Sequence, residues 1–220
     1  MKGKFAVVIP AFNEAATIGN LLESVSMHAD LIVVDDGSKD ETASISRNYG
    51  AAVLSHKKNQ GYDAALETGI RFAKSQGYAF VLTMDADGQH DPETIAVFKE
   101  NFIDGIDLVI GVRKNSQRFS EYIFSKVAKI LWGINDPLCG MKGFRLEKIP
   151  LSLRFNTYRS IGTELTIRLV RSGHKFSQVK VPIRARNDSS RFGGGILANL
   201  KILKSLVLGI KDARPKSTSN

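Results

Sequence analysis

The sequence predicts an α/β protein built on a mainly parallel sheet. Short apolar runs of strand length alternate with longer segments whose apolar residues recur at helical spacing. Three of those runs end in polar or acidic residues, at the strand ends where open α/β sheets hold their ligands.

Phe5 to Ile9 is the first strand. Glu14 to Ser26 follows as a helix, with Ile18, Leu21, Leu22 and Val25 on one face. Leu31 to Val34 is the second strand. Asp40 to Asn48 is a helix, with Ser38 or Asp40 as its N-cap. Ala51 to Ser55 is the third strand, and Tyr62 to Ser75 a helix bearing Ala65, Ile70, Phe72 and Ala73. Ala79 to Thr83 reads as a buried strand. A helix from Pro92 to Phe102 and a strand from Asp107 to Gly111 complete the alternation. Further on, Glu121 to Trp132, Glu164 to Val170 and Gly195 to Lys211 carry apolar residues suited to helices. The tail from Lys211 to Asn220, with its proline, serines and threonine, is expected to be disordered.

Composition narrows the function classes. At 220 residues and 43% hydrophobic content the chain can build a sizeable core. A single cysteine, Cys139, rules out an intrachain disulfide. Met1 to Lys4 leads straight into a five-residue strand, too short for a signal peptide, and no run of about 18 apolar residues predicts a spanning helix. The net charge of +9 suggests an anionic partner. Nucleic acid is not expected, because basic and aromatic residues are not interleaved.

The strand ends carry the chemistry. Met84-Asp85-Ala86-Asp87-Gly88-Gln89-His90 places two aspartates two residues apart where a strand stops. With the Gln89 amide oxygen they make an all-oxygen set for a hard cation, magnesium or manganese, with room for substrate phosphates. An Asx turn into the following helix is the plainer alternative. His90 is read as a turn or supporting residue rather than a ligand. The first strand runs into Pro10-Ala11-Phe12-Asn13-Glu14, and neither a dinucleotide glycine fingerprint nor a P-loop is present. The second strand ends in Asp35-Asp36-Gly37-Ser38, where a carboxylate can accept from a base N–H or a ribose hydroxyl.

The runs VVIPAFNE, IVVDDGSKDET, NQGYDAALETGI and LTMDADGQHDPE, in that order and spacing, resemble glycosyltransferase family 2. IGVR at 110–113, Arg118, DPLCGMKGFR at 136–145, Glu164 and VPIRARNDSSRFGG at 181–194 are similar to its polyprenyl-phosphate sugar synthase branch, the dolichol-phosphate mannose synthase type. The resemblance implies a single GT-A domain over residues 1–210, with helices on both faces of the sheet. Residues 1–112 would form its nucleotide-sugar half and 113–210 its acceptor half. It implies inverting transfer of a sugar from a nucleotide diphosphate to a polyprenyl phosphate, with Mg2+ or Mn2+ as cofactor. Pro10, Phe12, Glu14, Asp36, Asp85, Ala86 and Asp87 would bind the nucleotide sugar, and Asp85, Asp87 and Gln89 the metal.

A lipid phosphate is already an anion, so it needs fixed cations rather than a base. Arg113 and Arg118 match arginines that the family uses for the acceptor phosphate; a solvated face is the alternative. Arg186 and Arg191 fall in the family's loop that closes on the diphosphate, although Arg191 stands where lysine is commoner. Glu164 matches the region of the base in hydroxyl-accepting members but lacks their Glu-Asp pair; an acidic residue at a helix start is the plainer reading. Cys139 replaces a common serine and, with Asp136, is read as structural.

The rival enzyme reading is transfer to a glycan hydroxyl, with Glu164 essential. The non-enzymatic rival is a nucleotide-sugar-binding module. Gly195 to Lys211, apolar but punctuated by lysines, is expected to lie on the cytoplasmic face of a membrane as a peripheral contact, or to pack as a helix on its own domain or on a separate membrane subunit. Glu121 to Trp132 is a second surface of this kind.

Overall fold

A computed structural model describes residues 3–114, 119–149, 161–183 and 196–212. Strands β1 (Lys4–Ala11), β2 (Asp30–Asp35), β3 (Ala52–Ser55), β4 (Tyr78–Thr83), β5 (Leu108–Arg113), β6 (Lys142–Arg145) and β7 (Phe176–Val181) form one sheet. Its order is β3-β2-β1-β4-β6-β5-β7. All neighbours are parallel except β6, which runs antiparallel to both β4 and β5.

Helices α1 (Ile18–Ser26), α2 (Thr42–Asn48), α3 (Tyr62–Ser75), α4 (Thr94–Ile103), α5 (Phe119–Trp132), α6 (Ile161–Arg171) and α7 (Ile196–Asp212) flank it. The side-chain alternation of β1 shows how. Phe5, Val7 and Ile9 pack on α1 and α4 through Leu22, Val25, Ile95 and Phe98. Ala6 and Val8 face the opposite layer, where α3, α5, α6 and α7 contribute Leu66, Ile70, Phe124, Leu165 and Leu206. Strands buried on both faces read as continuous apolar runs, which is why β1, β2 and β4 were visible in the sequence.

The differences are local. The chain from Glu14 to Thr17 is a turn, closed by the Thr17 and Ile18 N–H groups on the Glu14 carbonyl, so α1 begins four residues later than its apolar pattern suggests. The N-cap of α2 is Glu41 rather than Ser38 or Asp40, and its side chain makes no capping bond; Asp40, one residue earlier, accepts from the Thr42 N–H at 3.1 Å. Arg113 lies within β5 rather than after it. Strands β6 and β7 were not expected. KGFR is four residues long with two cations, and FSQVKV mixes polar residues into a strand that occupies the sheet's edge. Lys211 and Asp212, expected in the disordered tail, are the last residues of α7.

Candidate active site

The chain builds β1, β2 and β3 outward in one direction and then returns to place β4 on the other side of β1. The crevice at such a reversal, beyond the carboxyl ends of the strands, is where open α/β sheets bind ligands. Here the ends of β2, β1 and β4 lie side by side, so all three polar strand ends share one edge.

The end of β1 is stitched to the end of β2. Asn13 sits at a φ of 54°, a left-handed conformation that asparagine tolerates. Its N–H donates to Ser38 Oγ at 2.9 Å, and its Oδ1 accepts from the Lys39 N–H at 2.9 Å. Glu14 is buried. Its N–H donates to Thr42 Oγ1 at 2.8 Å, and its carboxylate accepts from Thr17 Oγ1 at 2.8 Å. That hydroxyl also lies 3.2 Å from the Ala86 carbonyl, linking Glu14 to the acidic loop after β4. Pro10 is buried in β1, and Phe12 is half-buried just beyond it.

Asp36, expected at the nucleotide, also has an internal task. Its carboxylate accepts from His56 Nδ1 at 2.7 Å and from the N–H groups of Gln60 and Gly61 at 2.9 and 2.7 Å. Three of its four acceptor sites are thus spent on fixing the 56–61 loop against the crevice. Gly37 permits this packing: a Cβ there would sit 2.7 Å from the Lys58 carbonyl carbon.

Asp85 is the best-positioned carboxylate of the site. Tyr62, the first residue of α3, donates its hydroxyl to Oδ1 at 2.9 Å, and His90 Nε2 lies 3.4 Å from Oδ2. Burial alone would raise the Asp85 pKa. The contacts with His90 and Tyr62 and the charge of Lys142 outweigh it, and the pKa falls below the usual carboxylate value. Gly140 makes room, since a Cβ at that position would overlap the Asp85 carboxylate. Asp87 accepts the Gln89 N–H at 3.1 Å, and both residues are half-buried. His90 pairs with Ile183 in an isolated bridge, tying the acidic loop to the chain that enters the 184–195 segment. Among the described residues no three His, Cys, Asp or Glu side chains gather into a metal cage.

On the far side of β4, β6 delivers Lys142 into the interior near this carboxylate. It is only 3% exposed, and its ammonium donates to the Cys139 carbonyl. Burial draws its pKa down while the nearby carboxylates oppose that shift. Arg113 holds Asp136 in a two-pronged pair, Nε to Oδ2 at 2.8 Å and Nη2 to Oδ1 at 3.0 Å, and reaches Glu121 at 3.3 Å. Its guanidinium is therefore largely committed inside the protein. Asp136 in turn is held below the usual carboxylate range, because Arg113 outweighs the opposing effect of burial. The Cys139 thiol is pushed up to about 11 by burial, as expected of a structural cysteine. Glu164, in the first turn of α6, is fully buried with Arg168 Nη2 at 2.7 Å.

Arg118, Arg186 and Arg191 lie outside the described residues. Sequence reasoning missed Tyr62, Gly140 and Lys142. Tyr62 stood within a quoted motif, but nothing in its spacing pointed toward Asp85.

The model of the family described as Glycosyl transferase family 2 matches residues 6–160. The chain belongs to that family. It is a glycosyltransferase, and its architecture is the GT-A fold. The dolichyl-phosphate hexose transferase of Haloferax volcanii is 29% identical over 215 residues, covering 90% of this chain and 92% of that protein. The polyprenol monophosphomannose synthase of Mycolicibacterium smegmatis is 31% identical, covering 80% of this chain and 75% of its own. Among solved structures, glucosyl-3-phosphoglycerate synthase from Mycobacterium tuberculosis, in complex with Mn2+, UDP and glucosyl-3-phosphoglycerate, superposes with a TM-score of 0.77 at 23% identity. That match covers 98% of this chain and 82% of the synthase.

Proposed function

We propose that this glycosyltransferase moves a sugar, with inversion, from a nucleotide diphosphate to a polyprenyl phosphate at the cytoplasmic face of a membrane. The observation that carries the reading is Asp85, kept ionised by Tyr62 and His90 at the crevice between β1 and β4. Relatives named for dolichyl-phosphate and polyprenol substrates support the choice of acceptor.

The donor set suits a hard cation. Asp85, Asp87 and Gln89 offer oxygen ligands only, and Mg2+ or Mn2+ commonly takes one or two carboxylates together with substrate phosphates. A bound ion there would offset the charge that develops on the leaving diphosphate. The protein's own part is orientation. Tyr62 and His90 fix Asp85, and Thr17 couples Glu14 to the acidic loop. Asp36 holds the 56–61 loop at the nucleotide side and adds its remaining acceptor site.

In the reaction a lipid phosphate oxygen bonds to the anomeric carbon as the carbon–oxygen bond to the diphosphate breaks on the opposite face. The nucleoside diphosphate leaves with the electron pair. No proton need be removed from the nucleophile, so a general base is dispensable. Arg118, Arg186 and Arg191 supply the cations that bring two repelling phosphates to one carbon. Arg113, tied to Asp136, positions that wall of the site and contributes its charge.

The test is a panel of nucleotide sugars offered with a short-chain polyprenyl phosphate and Mn2+. One donor should yield a lipid-phosphate sugar of inverted configuration, and Asp87→Ala or a chelator should abolish it. Undiminished turnover in chelator, or transfer only to glycan hydroxyls, would overturn the reading.

A further inference from the structure

The loop from His56 to Gly61 is fastened at more points than its own closure requires. His56 is half-buried between two elements. Its Nδ1 lies 2.7 Å from Asp36 Oδ1, just past the end of β2, and its Nε2 lies 3.0 Å from Thr68 Oγ1, in the second turn of α3. A carboxylate accepts and does not donate, so Nδ1 carries the hydrogen toward Asp36. In the neutral ring Nε2 then accepts from the Thr68 hydroxyl. Thr68 thereby selects the tautomer that Asp36 needs, and the ring pins the carboxylate beyond β2 to the body of α3.

The same helix begins with Tyr62, which donates to Asp85 Oδ1 at 2.9 Å. Its neighbour Gly61 donates its N–H to Asp36 Oδ2 at 2.7 Å. One peptide bond therefore separates the N–H held by Asp36 from the residue that holds Asp85. Gly61 makes this turn at a φ of 94°, and a Cβ there would meet nothing within 4 Å, so the conformation and not the space calls for glycine. The two carboxylates are thus linked twice, through the Gly61–Tyr62 peptide and through His56, Thr68 and α3.

We propose that His56 is a positioning residue for Asp85. By clamping Asp36 to α3 it sets the place of Tyr62, and so ties the carboxylate at the nucleoside end of the crevice to the carboxylate at the metal and diphosphate end. His56 touches neither metal nor substrate in this role. The inference rests on the reading above of Asp85 as the metal and diphosphate carboxylate. Holding the loop alone would need only the bonds of Asp36 to His56, Gln60 and Gly61. The further bond to Thr68 is what carries the clamp to the helix that bears Tyr62.

The experiment takes two readouts on the full-length protein, with thermal unfolding as the check that each variant folds. The first is calorimetric titration with UDP and with GDP, each with and without Mn2+. The gain in affinity that Mn2+ brings reports on Asp85. Tyr62→Phe should lower that gain about tenfold, the loss of one hydrogen bond to a charged group. His56→Ala has no contact with Asp85 to lose, yet it should lower the gain about threefold. Thr68→Val, a milder change that keeps the bond from the ring to Asp36, should lower it similarly, and it carries the test if His56→Ala does not fold. Either variant combined with Tyr62→Phe should fall no further than Tyr62→Phe alone, because the effect passes through Tyr62. The second readout is amide hydrogen exchange without ligand. His56→Ala or Thr68→Val should speed exchange about tenfold not only over 56–61 but also over 84–90, the loop that carries Asp85. Faster exchange over 84–90 in a protein whose nucleotide affinity ignores Mn2+ would sustain the link while removing the metal reading. Additive losses in the double variants, a wild-type Mn2+ gain in the folded single variants, or faster exchange confined to 56–61 would each overturn the proposal.

Discussion

Replacing Gly140 by alanine adds a single methyl group, and the structure says what it meets. The new Cβ would lie 2.7 Å from Asp85 Cγ and Oδ1, and closer still to Oδ2. Asp85 must retreat by about 0.7 Å or more to reach ordinary van der Waals separation. That movement cannot preserve the 2.9 Å bond from Tyr62 or the 3.4 Å approach of His90. A hydrogen bond to a charged group is worth about 1.5–3 kcal/mol. Binding of metal and diphosphate must then restore the old geometry or proceed without it. A loss near 2 kcal/mol corresponds to about thirtyfold weaker affinity. Isothermal titration with UDP or GDP in the presence of Mn2+ would measure it, with thermal unfolding as the control for folding. Gly162→Ala is the companion variant. Its Cβ would have no neighbour nearer than 3.7 Å, so both readouts should stay close to wild type. Unchanged diphosphate and Mn2+ affinity in a folded Gly140→Ala protein would refute the claim that a fixed Asp85 organises the site.

Two further outcomes follow from the acceptor wall. Arg118→Ala should raise the KM for polyprenyl phosphate about tenfold to a hundredfold while leaving nucleotide affinity alone, and Glu164→Gln should be far milder on transfer; the reverse pattern in steady-state kinetics would favour a hydroxyl acceptor. Asp136→Asn should cost about 3 kcal/mol near neutrality, because it removes the charge that Arg113 pairs with at 2.8 Å and leaves only the longer contact to Glu121. Since Asp136 has a depressed pKa when folded, its contribution is complete above the unfolded value near 3.8 and fades as pH falls through the folded value. The wild-type melting temperature should therefore drop more steeply than that of Asp136→Asn below about pH 4, and parallel acid limbs would contradict the pairing.

Much of this was legible because burial writes itself into sequence. Val7, Val8 and Ile9 announce a strand covered on both faces, and Leu21, Leu22 and Val25 a helix with one dry side. The acidic turn after β4 was legible because two aspartates at a strand end are chemically unusual. Strand β6 was not, since Lys142 is buried with its ammonium on the Cys139 carbonyl three residues before it, and Arg145 is half-buried through Asp107 and Phe102, about forty residues back in the chain. Tyr62 looked like the first residue of an amphipathic helix, and only the crossing of α3 over β4 reveals its bond to Asp85. The apolar spacing of α7 gave its helix correctly, but spacing alone does not tell a lipid from the flank of α5. Asp36 shows the same ambiguity in a polar residue. An aspartate at a strand end can hold a ligand or hold its own loop, and here three internal donors had already claimed most of it.

The antiparallel insertion of β6 between β4 and β5 is what joins the two halves of the site chemically. A purely parallel sheet would put only the carboxyl ends of its strands at the crevice. Strand β6 runs the other way, so the loop that enters it, Asp136 to Met141, lies at that edge. Thr83 Oγ1 fastens the loop by donating to the Gly140 carbonyl at 2.6 Å. From that loop and strand come Gly140 against Asp85, Lys142 beneath it, and Asp136 for Arg113. The result is a series of charged groups, buried or half-buried, that alternates carboxylate, amine, carboxylate, guanidinium and carboxylate, from Asp85 through Lys142, Asp136 and Arg113 to Glu121. In the proposed reaction, transfer of a sugar between two phosphates would shift negative charge from one side of this wall to the other. Groups already held in place, Arg113 by Asp136 and Glu121 and Lys142 by the Cys139 carbonyl, would meet that shift without reorganising, which is where electrostatic catalysis gains most. On this view Lys142 and Asp136 are as much part of the transferase as the aspartates that its sequence advertises.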